Sequence, residues 1–562
     1  MKTRFVLFAF FLATALSAAS FGQPAGTPDL NRPRTYDVQH YVLRVSFDIP
    51  KKTVIGDTTV QLRPLDKPLS SVELDSNGIR YTSVVLEPSN TKLNYRLRGN
   101  RIIVDLDKEY SPDEIISIRF QYTAQPKKGV YFVAASKGDA GLRHSEQIWT
   151  QGEPDEAHHW FPSFDFPSDK ATTEQFITAP AKFTVIGNGV PVSKTENDDG
   201  TVTHHFKMPV PHSTYLVSFV IGEYIKIEDT YGSIPLGYYM YPGLESVVPK
   251  AYGKTKEMLK IFEELTASEF PFNKYDQTMV ANFEFGGMEN ITATTMADSE
   301  IMLANFDFIR GNVEDLVAHE IIHSWFGNIV TCKNWAELWL NEGFATFFEA
   351  AVREKMYGRR DYIRKITNNA ENFMADDIRG GRRFGLFNQT AANTATLFDR
   401  PAITYDKGGV VIHMLREQVG EEAFWQALKI YLDRHRYGSV ETQDLRRVME
   451  ETSKQDLGWF FDQWVYTVGF PRVSVKHLYN PDKKTLSLDL SQTHRTDRMT
   501  PAAFRLPLEF TITTEGGVTP VKLDMSSRQQ RLEVPLDGPP IAITADPASK
   551  IPIAEITVAA IK

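Results

Sequence analysis

The 562-residue sequence predicts an α+β multidomain chain: an antiparallel β domain, then a mainly helical domain, then a small β-sandwich. Three observations carry this. Over residues 34–227 apolar and polar positions alternate, as at Tyr41, Leu43, Val45 and Phe47, the period of half-buried strands. After Tyr241-Pro242-Gly243 the apolar spacing becomes that of amphipathic helices. Beyond Pro471 short alternating runs return, separated by Asn480-Pro481-Asp482 and Gly516-Gly517, the texture of a sandwich.

The elements follow in order. Lys2 and Arg4 precede an apolar run over 5–16, and small residues cluster at Ser17, Ala18, Ala19 and Ser20. That order reads as a secretory signal peptide over 1–22. No apolar stretch is long enough to span a bilayer comfortably, so no stable membrane span is expected after cleavage. The protein is expected to be exported, periplasmic or secreted. The single cysteine, Cys332, precludes an intrachain disulfide and fits a bacterial setting. The β domain is expected over 23–242. Helices are expected at 254–268, 313–326, 342–356, 407–419, 422–435 and 442–452, with Thr442 as an N-cap, inside a catalytic domain over 243–470. Strands near 473–477, 486–490, 506–513, 521–523 and 531–534 fill a sandwich over 471–562.

Composition excludes some functions. Charged residues are 24% of the chain and the formal net charge is −9, with a sequence pI of about 5.9. Nucleic acid is therefore not expected as a partner, because that calls for a basic face. The oligomeric state is not readable.

The chemistry concentrates at His319-Glu320-Ile321-Ile322-His323. On a helix the two histidines, at i and i+4, share a face and reach one ion. Eighteen residues separate His323 from Glu342, which falls early in the next expected helix. Three protein ligands and one open position suit a single zinc ion per chain. The alternative for Glu342 is a first-turn carboxylate favoured by the helix dipole. Glu320, flanked by residues that aim both imidazoles at the ion, is positioned to take a proton from water.

Other segments extend the pattern. Gly286-Gly287-Met288-Glu289-Asn290 precedes the metal motif, Tyr405-Asp406-Lys407-Gly408 follows it, and Gln151-Gly152-Glu153 lies upstream. With Trp339-Leu340-Asn341-Glu342-Gly343, these make the chain resemble the aminopeptidase N-like zinc peptidases, the M1 family of gluzincins, from about Tyr36 onwards. The resemblance implies a thermolysin-like catalytic domain. It implies that Glu153 and Glu289, with Gln151, Gly286, Gly287, Met288 and Asn290, bind a peptide with a free N-terminus, and that Tyr405 stabilises the oxyanion. Gln151 and Glu153 are expected on one side of a strand. The two glycines are expected to let a peptide backbone approach closely, or else to form a simple turn. Glycine at 287 stands where alanine is common in the family. Many relatives carry a further helical domain; with no helical periodicity after Pro471, a three-domain form with a more open active site is expected. An epoxide hydrolase, a thermolysin-like endopeptidase and a catalytically dead scaffold are the competing readings.

Overall fold

A computed structural model describes residues 30–138, 142–391 and 396–561. The expected signal peptide, 1–22, lies outside the described residues. No helix among them is long and apolar enough to cross a membrane.

The first part is built on an eight-stranded sheet. Tyr36–Asp48 runs near its middle, antiparallel to Thr53–Pro64 and parallel to Ala171–Pro180. The alternation is not unbroken. Tyr36 and Val38 are buried, and so are Tyr41, Leu43 and Val45, because the register shifts between Val38 and His40. That bulge returns the following apolar residues to the core face. A four-stranded sheet beside it contains Gln147–Thr150, all four residues buried. One hydrophobic core fills this region, around Trp160, Phe161 and Phe219, while a larger one runs from residue 133 through the rest of the chain.

One sheet crosses the boundary expected at 242. Ile225–Tyr231 (β1) and Ile234–Met240 (β2) form a hairpin whose second strand pairs in parallel with Tyr275–Val280 (β3). Gly287–Met288 (β4) and Ala293–Ala297 (β5) complete a five-stranded sheet in the order β1-β2-β3-β5-β4. The hairpin therefore shares a sheet with the mainly helical part. Alternation identifies a strand but not its partner, which here lies beyond an intervening helix.

The longer helices are Thr255–Thr266 (α1), Arg310–Ile322 (α2), Trp339–Tyr357 (α3), Arg359–Arg379 (α4), Gly408–Val419 (α5), Glu421–Arg434 (α6) and Thr442–Ser453 (α7). Six match the expected set in place. The long α4 was not among the expected helices, although Tyr362, Ile366, Ala370 and Phe373 give it a buried stripe at helical spacing; its remaining residues are strongly polar. Thr442 is not the cap of α7. Glu441 caps it, in a capping box with Asp444, while the Thr442 hydroxyl donates to Glu337 at 2.6 Å. The last ninety residues form a four-stranded and a three-stranded sheet, the latter including two strands, Leu506–Thr514 and Ala542–Ala545.

One close approach sets the geometry of the centre. Gly343 on α3 faces Gly408 at the start of α5, and a Cβ on Gly408 would fall 2.8 Å from the Gly343 Cα. Only glycine fits both positions, since the obstruction is backbone. The crossing draws in the π-helical turn Ile403–Lys407, which carries Tyr405. Gly408→Ala is expected to force the helices apart and cost about 1–3 kcal/mol, measured by denaturant unfolding.

Candidate metal centre and active site

α2 and α3 present three ligand-type side chains to one point. His323 is the C-cap of α2 and keeps helical dihedrals, so the i, i+4 relation to His319 holds. The His319 and His323 Nε2 atoms lie 3.1 and 3.4 Å from Glu342 Oε2. These are the atoms that would surround an ion, and all lie within 4.8 Å of one another. The far nitrogens are committed elsewhere. His319 Nδ1–H donates to Glu349 at 2.8 Å, and His323 Nδ1–H donates to the Phe326 carbonyl at 2.9 Å. Each bond fixes a ring orientation and leaves Nε2 facing inward. Gly327 protects the second: its φ is +130°, and a Cβ there would sit 3.0 Å from His323 Nδ1.

The electrostatics fit a cation. Burial works against charge on His319 and His323, but the carboxylates around them prevail: His319 is held well above its ordinary pKa and His323 at about 9. Burial opposes ionisation of Glu342 as well, yet His323 and His319 pull it down to about 2. Without metal, protons occupy the positive side of this arrangement; an ion would replace them. Two imidazoles and a carboxylate are a zinc-type donor set.

A second acidic group adjoins the first. Oxygens of Glu153, Glu289 and Glu342 also converge within 4.8 Å. Glu153 is buried and pushed well above the usual carboxylate range, by burial first and then by Glu289 and Glu342; its Oε1 has no hydrogen-bond partner. The Tyr215 hydroxyl donates to Glu289 at 3.3 Å. Glu153 and Gln151 are not on a strand as expected. They lie in the loop after Gln147–Thr150, with Gln151 Nε2 3.2 Å from the Met288 sulfur. The loop still delivers both to the same cavity.

That cavity is about 740 Å³ and brings together nearly all the expected residues: Gln151, Glu153, Gly286, Gly287, Met288, Glu289, the three ligand residues, Glu320 and Tyr405. Asn290 is the exception. It does not line the cavity and donates to the Thr295 hydroxyl at 3.0 Å, bracing the turn into β5. Gly287 has a role besides backbone approach: a Cβ there would meet Glu320 Oε1 at 2.2 Å, so glycine leaves the space that the Glu320 carboxylate occupies. Burial, ahead of the opposing pull of His319 and His323, raises Glu320 to about 8. The Tyr405 ring stacks on His319 at 5.9 Å between centroids. Burial and then the charge of Glu342 keep its phenol protonated.

Sequence reading missed Glu349, whose Oε2 lies 2.6 Å from Lys365 Nζ. The signal was present: Glu349 follows Glu342 by seven residues, two turns along one helix face.

A buried two-histidine, one-carboxylate group with an adjacent free carboxylate defines the class of a metallopeptidase centre. Residues 250–464 match the peptidase family M1 domain, and residues 37–216 the peptidase M1 N-terminal domain. The chain belongs to peptidase family M1, whose members are zinc-dependent. Aminopeptidase 2 of Candida albicans is 26% identical over 456 residues, covering 79% of this chain and 48% of its own. Human glutamyl aminopeptidase is 28% identical over 470 residues, 80% of this chain and 48% of the relative. The bovine glutamyl aminopeptidase is 30% identical over 501 residues, 84% and 51%. The chain spans about half the length of these curated relatives.

Glu349→Ala is expected to weaken zinc binding by about 10–100-fold, read by titration against a metal-buffering chelator.

Proposed function

We propose that this chain is a zinc aminopeptidase that hydrolyses the first peptide bond of peptides with a free N-terminus. One observation carries the reading: Glu153 and Glu289 converge beside Glu342 in a buried site where the remaining charge calls for a cation. An α-ammonium supplies it and sets the distance from the N-terminus to the metal group. An endopeptidase has no use for such a pair.

His319, His323 and Glu342 would hold the zinc. Zinc held there would supply Lewis-acid polarisation of a carbonyl and would lower the pKa of water towards about 7. Glu320 takes the water proton and later passes it to the leaving amine. The Tyr405 phenol donates to the developing oxyanion. Glu153 and Glu289 hold the ammonium, with Gln151, Met288 and the Gly286-Gly287 backbone around the first residue. No covalent intermediate is required. A thermolysin-like catalytic part between two β parts is the architecture of this reading. Export to the periplasm or medium is proposed on the charged, apolar and small-residue order of the N-terminus; N-terminal sequencing of the mature protein tests it, and an intact Met1 in the exported fraction would oppose it.

The activity test is a set of aminoacyl anilides and peptides, free or N-acetylated. Free substrates are expected to be cleaved and acetylated ones refused; comparable cleavage of both would overturn the reading. Glu320→Gln is expected to abolish measurable turnover while zinc stays bound. Tyr405→Phe is expected to lower kcat by about 10²–10³. Glu153→Ala is expected to raise KM more than it lowers kcat.

A further inference from the structure

The cavity contains a polar group that the proposed chemistry does not use. Asn369 on α4 is 3% exposed and lines the cavity; among the described residues it makes no side-chain hydrogen bond, and its Nδ2 is buried without a partner. A buried amide left unsatisfied is destabilising, so a partner from the cavity is implied. Asn369 is not isolated. Asn368 and Asn372 also line the cavity, and positions 365, 368, 369 and 372 share one helix face. Asn372 Nδ2 lies 3.5 Å from Asp406, so this face begins next to Tyr405.

The position of the face gives its direction relative to substrate. Glu289 lies on the His323 flank, near Gly327 and Tyr215. α4 lies on the opposite flank, where Lys365 reaches Glu349 and Glu349 reaches His319. With the N-terminus held at Glu153 and Glu289, the chain beyond the scissile bond must leave towards α4. The charges there cancel. Asp315, Glu349 and Asp361 are paired with Arg353, Lys365 and Arg364. What remains, beside the Asp406 carboxylate that Asn372 faces, is a row of neutral amides, each able to donate and to accept.

We infer that this face of α4 binds the main chain of the peptide beyond the scissile bond, with Asn369 pairing with the first peptide group and Asn368 and Asn372 with the next. This rests on the aminopeptidase reading. The face reads peptide groups, which every sequence offers, and it favours tripeptides and longer substrates over single-residue derivatives.

The test uses the full zinc-loaded protein with an aminoacyl p-nitroanilide and the tripeptide and tetrapeptide amides beginning with the same residue. Asn369→Ala is expected to lower the tripeptide-to-anilide ratio of kcat/KM about tenfold, the worth of one hydrogen bond. Asn368→Ala with Asn372→Ala, both exposed and therefore safe for folding, is expected to lower the tetrapeptide-to-tripeptide ratio at least threefold. Ratios within twofold of the parent in both variants overturn the inference. If the parent protein fails on the anilide, the aminopeptidase reading falls instead. Calorimetric binding of the same peptides in the Glu320→Gln background then reads the face alone; an affinity insensitive to the asparagine substitutions overturns it.

Discussion

Six buried carboxylates face one cavity; Asp315 and Glu349 are paired with Arg353 and Lys365, and the rest of the centre answers the mutual repulsion of the other four, Glu153, Glu289, Glu320 and Glu342. Side chains of one sign removed from water repel strongly and lose their hydration. Such a set persists only with cations among them or with members held protonated, the direction in which burial pushes Glu153, Glu289 and Glu320. Two imidazoles offer a partial answer, and a metal ion with a substrate ammonium offers a fuller one. The proposed activity therefore follows from a charge imbalance that the folded chain carries.

Several residues maintain that imbalance without touching the chemistry. Glu349 and the Phe326 carbonyl hold the two rings. Gly327 and Gly287 keep methyl groups away from His323 and Glu320. The Gly343–Gly408 contact lets α3 and α5 approach until the turn bearing Tyr405 reaches the site. Each is a small feature in sequence and a tight constraint in space.

Legibility in the sequence followed chain distance. His319, Glu320, His323 and Glu342 were readable from spacing, because they fall on two successive helices whose periodicity fixes their faces. Glu153, Glu289 and Tyr405 had no local signal and were reached through family resemblance, since a loop, an edge strand and a π turn bring them in from separate segments. The loop holding Gln151 and Glu153 read as strand because the preceding residues are strand. The extended pattern was read only to 227, and β1 and β2 fell inside the expected β domain although they share a sheet with β3, because pairing is a tertiary choice. α4 was overlooked behind its polar residues, and Asn369 with it: an asparagine on a helix gains a role only from what the fold sets opposite it.

The two hydrophobic cores divide the labour. The metal group, Glu289 and Tyr405 stand over the larger core, whereas Glu153 arrives on a loop that leaves the sheet lying between the two. On the proposed reading the N-terminus is gripped across this seam, by Glu289 on the metal side and by Glu153 on the loop. Which bond would be cut then depends on how the two cores dock, at a seam that reaches the metal group itself.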